Sequence, residues 1–405
     1  MKPDRNKYIW AIFMAIALVV TLLPIASYIA AIDQIKDEWD LNNSEVGMIY
    51  SSYLIGYALS ALIIVPLTDK GNRKAILIVS AVISVTAHIL FSIVSDNFIT
   101  GSIVRLLAGV GYLGIYICGI RIISDQFDEN NKGKVIGLFV TSQYLSHSIS
   151  LGLTDALINI THNWRLGYSL VSILSASGII LFFFLIYKTE EKPVTNTLNP
   201  WSFKLDKNII KVIISYSIHA LVLYSLRVWS PVFLNSIFAA SSGEFSNKIS
   251  GNTIAAIAFA IAALGPFIGG IFADRIGIIR SSSIIIAICS ISGFLFGFVE
   301  LINIIPLIIV LFFIYTFSAS ADSSIYQTGI ITITKNNKLG QNLGMQSFAG
   351  LISGCIGPII IGFVTDVSPN NYQWIISFSL LGFLSLLSFV NINMLSIPNS
   401  KFDQR

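Results

Sequence analysis

Long apolar stretches separated by short polar segments follow one another along the whole chain. A helix needs about 20 mostly apolar residues to cross a bilayer, and twelve stretches reach about that length. They are continuous and lack the alternation of barrel strands, so we predict helices. The predicted spans cover approximately residues 8–31, 46–67, 75–94, 101–123, 135–159, 166–187, 208–233, 251–272, 281–300, 304–328, 341–364 and 372–395. The pattern therefore predicts an all-α membrane protein with twelve transmembrane helices.

The composition agrees with this prediction. Hydrophobic residues make up 54% of the chain and charged residues only 11%, whereas a soluble domain carries roughly 25% charged residues. The first apolar stretch is longer than the core of a signal peptide, so we expect it to remain as a span. Cys118, Cys289 and Cys355 lie inside predicted helices without paired spacing, and we predict neither a disulfide nor a metal site.

Lysine and arginine residues fall mostly on one side of the predicted membrane. With the N-terminus in the cytoplasm, most of the 25 Lys and Arg residues lie in cytoplasmic segments, and only Lys36, Arg165 and Lys248 lie in outer loops. This excess predicts that both termini are cytoplasmic. Because the net charge of +4 is spread over several loops, we predict no nucleic-acid partner.

The longest internal polar interval separates spans six and seven. It contains two glutamates, two prolines and several lysines, a composition typical of a flexible linker. We therefore predict an N-terminal six-helix bundle over residues 1–188, a cytoplasmic linker over 189–207 and a C-terminal six-helix bundle over 208–405.

Two short charged loops with similar sequences lie about half the chain apart. They read Pro66-Leu-Thr-Asp69-Lys70-Gly-Asn-Arg73-Lys74 and Gly270-Ile-Phe-Ala-Asp274-Arg275-Ile-Gly277-Ile-Ile-Arg280. A duplicated membrane protein whose halves keep the same orientation repeats a loop in this way. The pattern therefore predicts two six-helix repeats.

Both loops resemble the Gly-x-Leu-Ala-Asp-Arg-x-Gly-Arg-Arg signature of the major facilitator superfamily, and the resemblance covers nearly the full chain. It implies the fold of that superfamily and a function in transport. Val65 and Asn72 depart from it, because they stand where the first loop of the family usually has glycines.

The resemblance also implies a conformational latch on the cytoplasmic side. Asp69 would face the N-terminal end of span eleven, and Arg73 would pair with Asp125 at the cytoplasmic end of span four. A carboxylate is favoured at a positive helix end, and a charge cluster can exist in made and broken forms. The full expected set is Asp69, Arg73, Asp125, Asp274, Arg275 and Arg280. The alternative is that these charges only set the orientation of the loops.

Spans four and eleven carry further family features. Arg105, Gly109 and Gly111 resemble the Arg-x-x-x-Gly-x-Gly segment of span four, where the glycines favour close helix packing. Arg105 is either functional or a side chain that snorkels to the outer interface. The glycines and Pro358 of span eleven favour a kink and packing.

Ionisable residues at membrane depth are the sharpest site candidates, since each is costly in hydrocarbon. Arg227 and His219 lie on span seven about two turns apart, on nearly one face, and are predicted to bind the solute. A similar His and Arg-x-Trp arrangement occurs in a bacterial subgroup resembling cyanate permeases. That subgroup also resembles this chain at Arg121 in span four and at Asp322-Ser323 in span ten.

Arg121 and Asp322 occupy comparable places in the two repeats. An ion pair between them would bridge the halves, and the alternative is that Arg121 pairs with Asp125. His147 in span five suits proton exchange, because its unperturbed pKa is near neutral, or it only forms hydrogen bonds within the bundle.

Polar and aromatic side chains complete the expected binding pocket. They are Tyr116, Gln143, Tyr144, Tyr224, Tyr326 and Gln327. With Arg227 they predict a positive pocket at the repeat interface, which favours a small anion or a metabolite with a carboxylate.

These features and the resemblance imply a secondary active transporter that works by rocking of its halves. The solute moves down its own gradient or is driven by an ion gradient, which we expect to be that of protons. The chain lacks a Gly-x-x-x-x-Gly-Lys loop, which argues against ATP as the driving force, and no cofactor or enzymatic activity is predicted. Proton-antiport efflux of drugs or metabolites is one alternative, and a non-transporting membrane sensor is another. The expected partners are a small solute, protons and lipid, and the protein is expected to be a monomer in the bacterial cytoplasmic membrane.

Overall fold

The structure is a computed structural model that describes residues 5–69, 71–191, 206–240, 249–302, 304–334 and 339–395. At Arg5, Asp69, Glu129, Asn130 and Gly340 it describes the backbone only. The described residues form helices, which are α1 (Arg5–Thr21), α2 (Ser27–Ala30), α3 (Ile32–Glu38), α4 (Asn43–Asp69), α5 (Arg73–Val94), α6 (Phe98–Gln126), α7 (Glu129–Thr161), α8 (Trp164–Ile186), α9 (Lys207–Ala240), α10 (Gly251–Ala262), α11 (Gly265–Ile276), α12 (Ile278–Ile302), α13 (Ile305–Ala321), α14 (Ser323–Ile333), α15 (Leu339–Val367) and α16 (Gln373–Asn393).

Within those ranges, ten helical segments are long and apolar enough to cross a membrane. The predicted first and fifth spans are not among them. The first lies in α1, whose described apolar part is short, Asn6–Thr21. The fifth lies in α7, which is long enough at 33 residues but carries polar side chains such as Gln143, His147 and Asp155.

The predicted first span is not one continuous helix. The chain turns after Thr21, close to Pro24, and the short helix α2 follows. Proline lacks a backbone N–H, so it interrupts the ladder of helical hydrogen bonds. The buried Ala26 N–H donates instead to Ser150 Oγ of α7 at 2.8 Å. This side-chain partner stabilises an interruption that would otherwise be costly in hydrocarbon.

Spans eight and ten are also interrupted, and their interruptions are in contact. Pro266 lies in the first turn of α11, and Asp322 separates α13 from α14. The Ser324 hydroxyl donates to the Pro266 carbonyl oxygen at 2.6 Å. Gly269 permits the close approach, because a Cβ there would lie 1.9 Å from the Ala321 oxygen. The interruption places a carboxylate at the junction of two half-helices.

The chain forms two compact units. Unit 1 comprises Met1–Thr197 with Ala255–Ala260, and unit 2 comprises Leu198–Ile254 with Ile261–Arg405.

In unit 1, α6 packs closely against α4 and α5. A Cβ at Gly109 would lie 1.9 Å from the Tyr53 oxygen of α4, and one at Gly111 would lie 2.4 Å from the Ser80 oxygen of α5. This is the packing role expected for these two glycines.

Aromatic side chains form part of the core of unit 2. The ring centres of Phe233, Phe296 and Phe378 lie 4.8 to 5.1 Å apart, and Trp374 packs 5.3 Å from Phe233. Each such pair contributes roughly 0.5–1.5 kcal/mol beyond its burial. This cluster joins α9, α12 and α16, the helices that surround the candidate site described next.

Candidate functional site

A buried pair of ionisable side chains lies in unit 2. His219 Nδ1 of α9 is 2.7 Å from Asp322 Oδ1 at the junction of α13 and α14. The two residues are 6% and 5% exposed. Asp322 directly precedes α14, where the helix N-terminus favours a negative charge. The sequence predicted solute binding for His219 and an ion pair with Arg121 for Asp322, and it did not predict that His219 and Asp322 pair with each other.

A small cavity adjoins this pair and has space for about one water molecule. Besides His219 and Asp322, the side chains of Cys289, Tyr326 and Ser388 line it. The hydroxyl oxygens of Tyr326 and Ser388 are 3.1 Å apart, and the Tyr326 ring centre lies 5.6 Å from that of His219. The pair therefore lies beside a small cavity of mixed polar and apolar lining, enclosed by α9, α12, α13, α14 and α16.

Arg227 lies about two turns from His219 on α9. It is 9% exposed, and its guanidinium carbon is 5.5 Å from the Tyr224 ring centre, within cation–π range. The neighbouring Trp229 is fully buried and donates its indole N–H to the Pro358 oxygen of α15 at 3.0 Å. These contacts hold this part of α9 firmly against α15.

The other predicted pocket residues are distributed over several helices. Tyr326 joins the His219 and Asp322 pair, whereas Gln327, one position further on α14, is exposed. In unit 1, Tyr116 of α6 is stacked between Tyr112 and Phe139. On α7, Gln143, Tyr144 and His147 are all half-buried. His147 Nδ1 lies 3.2 Å from the backbone carbonyl oxygen of Gln143. Their assignment to a solute pocket stays a prediction.

The structure brings Arg73 and Asp125 into contact through Arg73 Nη1 and Asp125 Oδ2, and the Arg73 side chain is 3% exposed. Glu191 adds a carboxylate that the sequence did not indicate. It accepts hydrogen bonds from the backbone N–H groups of Arg73 at 3.2 Å and of Lys74 at 2.8 Å, at the first turn of α5. The Asp69 side chain lies outside the described residues. The role of this cluster as a latch stays a prediction.

Glu191 was missed because it falls in the polar segment that predicts a flexible linker. Lys74 Nζ also donates to the carbonyl oxygen of Thr189, so residues 189–191 are held against α5. The linker bounds of 189–207 stay a prediction. Residues 192–205 lie outside the described part of the chain.

The second charged loop differs from the first in its surroundings. Asp274, Arg275 and Arg280 are all exposed, in contrast to the buried Arg73. The backbones differ as well, since Gly277 has φ 85° and ψ 158°, whereas Asn72 has the left-handed values φ 65° and ψ 29°. Asparagine tolerates this left-handed conformation better than most residues, so Asn72 replaces the expected glycine.

Arg105 is fully buried within unit 1. Its guanidinium carbon lies 5.2 Å from the ring centre of Tyr28 and 4.7 Å from that of Tyr53. Among the described residues, none makes a hydrogen bond of standard geometry to its three side-chain nitrogens, although the Tyr168 hydroxyl is close enough to interact with the guanidinium. His88 packs against Tyr53, and its Nδ1 is 2.8 Å from the Tyr168 hydroxyl. The snorkelling alternative for Arg105 is wrong, because its side chain has no exposed surface.

The family model of the Major Facilitator Superfamily matches residues 10–358 and 212–405 of this sequence. The chain belongs to the major facilitator superfamily. The resemblance drawn from the two charged loops is thereby confirmed, and so is the predicted all-α membrane fold of the superfamily, with which the twelve predicted spans are consistent. This superfamily member is a membrane transporter and not an enzyme.

The relatives of this chain include a hexuronate transporter and a multidrug resistance protein. The hexuronate transporter of Bacillus subtilis (strain 168) is 22% identical over 386 residues, which are 90% of this chain and 89% of that protein. The multidrug resistance protein MdtL of Salmonella typhimurium is 26% identical over 271 residues, or 64% of this chain and 66% of that protein.

Solved structures show the same fold. A bacterial homolog of the human lysosomal transporter Spinster matches in an inward-facing, unoccupied conformation with a TM-score of 0.71, and in an occupied one with a TM-score of 0.74. Each match has 15% sequence identity and covers 97% of this chain and 96% of that one.

In this transporter we expect Arg105→Met to reduce transport without lowering thermal stability. Burying an unpaired charge costs several kcal/mol, whereas each of the two cation–π contacts contributes roughly 1–2 kcal/mol. Methionine should therefore leave the unfolding temperature in detergent equal or higher, while transport by the same protein in proteoliposomes falls. A lower unfolding temperature with normal transport per folded molecule would instead make Arg105 a structural anchor.

Proposed function

We propose that this transporter moves a small anionic solute with a carboxylate across the bacterial cytoplasmic membrane, coupled to protons. It works as a monomer with both termini in the cytoplasm, by alternating movement of the bundles formed by residues 1–188 and 208–405 about their linker. The observation that carries the proposal is Arg227, a cation 9% exposed at the middle of a membrane helix.

Arg227 suits an anion for physical reasons. A charge within a membrane span is costly, and such residues usually face an interior site or pathway. The guanidinium keeps its charge and offers a planar set of donors that matches a carboxylate. The hexuronate transporter relative supports this class of solute, since a hexuronate carries one carboxylate on a sugar.

The His219 and Asp322 pair supports proton coupling. Histidine commonly carries protons in proteins, and the partner of His219 is a buried carboxylate 2.7 Å away. A proton that binds or leaves changes the charge of this pair inside the membrane, where the electrostatic effect is large. Because Asp322 also separates α13 from α14, the change acts at a junction between half-helices.

The proposal is tested by uptake into proteoliposomes. Labelled D-glucuronate, a hexuronate, should accumulate when the outside is acidic, and a protonophore should remove the accumulation. D-glucose has the same ring but no carboxylate, so it serves as the control and should not be carried. Failure of glucuronate and of a panel of other carboxylates to enter, or entry that ignores the proton gradient, would contradict the proposal.

Export of drugs by proton antiport is the second candidate, and the MdtL relatives favour it. Everted vesicles separate the two candidates. Acidification of the lumen should then drive a cationic dye inward if the protein is an exporter. Dye movement without glucuronate transport would replace the first candidate by the second.

A further inference from the structure

Two glycines of α15 lie directly against aromatic rings of α9. A Cβ at Gly350 would lie 2.3 Å from Cε1 of Tyr216, and one at Gly354 would lie 2.5 Å from Cδ2 of Tyr224. Carbon atoms in contact are normally about 3.5–4.0 Å apart, so either methyl group would displace its ring by on the order of 1 Å. Gly344 on the same helix has nothing within 4 Å of its Cβ position among the described atoms.

Each ring contacts a different functional candidate. Tyr224 lies beneath the guanidinium of Arg227, with 5.5 Å between the guanidinium carbon and the ring centre. Tyr216 lies 5.6 Å from the His219 ring and 6.0 Å from the Tyr326 ring. The two glycines are one helical turn apart, yet they support side chains with separate roles.

We propose that Gly354 positions the anion contact Arg227 through Tyr224, which packs on this glycine. In the same way, Gly350 positions the proton-binding pair of His219 and Asp322 through Tyr216. The inference rests on the proposed function. It assigns α15 a role beyond kinking and packing, because the surface of one helix sets the geometry of both sites. A displacement of about 1 Å in a binding geometry is sufficient to cost on the order of 100-fold in activity.

The pH dependence of transport can involve every polar or titratable group that faces His219. In the described part of unit 2 these groups are Asp322 at the α13–α14 junction, Tyr326 of α14, Cys289 of α12, the hydroxyls of Ser385 and Ser388 on α16, and Tyr216 on α9 itself. The glycines of α15 contribute no titratable group. A change of pH profile in Gly350→Ala would therefore report a change in the surroundings of the pair and not the loss of one of its members.

The experiment compares Gly354→Ala, Gly350→Ala and Gly344→Ala in the proteoliposome assay. Gly354→Ala should raise the KM for D-glucuronate about tenfold or more and leave the pH profile of uptake in place. Gly350→Ala should shift the pH profile by about half a unit or more and leave the KM at its optimum pH unchanged. Gly344→Ala should match the unaltered protein in both measurements.

A second pair of variants covers the case in which an alanine prevents folding. Tyr224→Leu and Tyr216→Leu remove the aromatic rings without crowding the glycines. The first should raise the KM, and the second should shift the pH profile. The inference would be overturned if the two glycine variants, Gly354→Ala and Gly350→Ala, changed the KM and the pH profile equally, or if the two tyrosine variants did so. Effects no larger than those of Gly344→Ala would also overturn it.

The Arg227→Ala variant distinguishes this failure from failure of the proposed function. If Arg227→Ala leaves glucuronate affinity intact, the proposed anion site itself is wrong. If Arg227→Ala removes binding while Gly354→Ala does not, only the positioning role is wrong.

Discussion

Arg227→Ala should nearly abolish binding of an anionic solute while the protein folds normally. Truncating one member of a buried, hydrogen-bonded charge pair costs roughly 2–5 kcal/mol, which corresponds to an increase in Kd of about 30-fold or more. Arg227→Lys should be milder, about tenfold, because lysine keeps the charge but loses the planar set of donors. Thermal-shift titration of the detergent-solubilised protein with D-glucuronate measures both changes.

Lys207→Ala is the matched control for Arg227→Ala. It removes a positive charge from the same helix, but Lys207 is exposed at the start of α9. Its Kd for glucuronate should equal that of the unaltered protein. If Arg227→Ala binds as tightly as Lys207→Ala and remains monodisperse, Arg227 is a structural residue and the anion assignment is wrong.

Asp322→Asn should uncouple solute movement from the proton gradient. Asparagine has nearly the same size, so the α13–α14 junction should be retained, but it takes up no proton and leaves His219 without its carboxylate. Accumulation of glucuronate above equilibrium should therefore disappear, together with the pH dependence of uptake. Exchange of labelled for unlabelled solute, which needs no net proton movement, should continue. The two assays are run on one batch of proteoliposomes.

Asp206→Asn controls for loss of a carboxylate in the same unit, because Asp206 is exposed just before α9. It should keep both accumulation and exchange. Accumulation by Asp322→Asn that still follows the imposed gradient would show that protons, if they are coupled, bind elsewhere.

Much of the fold is encoded in local patterns, which explains why it is predictable. Apolar length predicts the spans, because a helix that faces lipid has to satisfy its backbone internally. The interruptions at Pro24 and near Pro266 are less predictable, since prolines are tolerated in continuous membrane helices where neighbouring groups replace the lost hydrogen bonds. Pro231 and Pro358 illustrate this within α9 and α15. Whether a neighbouring group replaces the lost hydrogen bond depends on tertiary packing.

The site was predictable only in part for the same reason. Buried charges such as Arg227, His219 and Asp322 stand out in an apolar sequence because they are costly there. The pairing of His219 with Asp322 does not stand out, since the two residues lie on different helices and no spacing along the chain relates them. Arg105 seemed close enough to a helix end to reach the interface, but Tyr28 and Tyr53 enclose it.

The polarity of α7 affects how the protein enters the membrane. Insertion machinery releases a segment into lipid according to its apolarity, and α7 is too polar to favour release alone. In the folded protein α7 packs against α1 and α8, and its Ser150 and Thr154 side chains form hydrogen bonds with Ala26 and Ser27. We therefore expect α7 to wait at the insertion site until α8 has been synthesised, so that several helices of the N-terminal half enter lipid as a group. Nascent chains that stop between the two helices are then the forms most exposed to quality-control proteases.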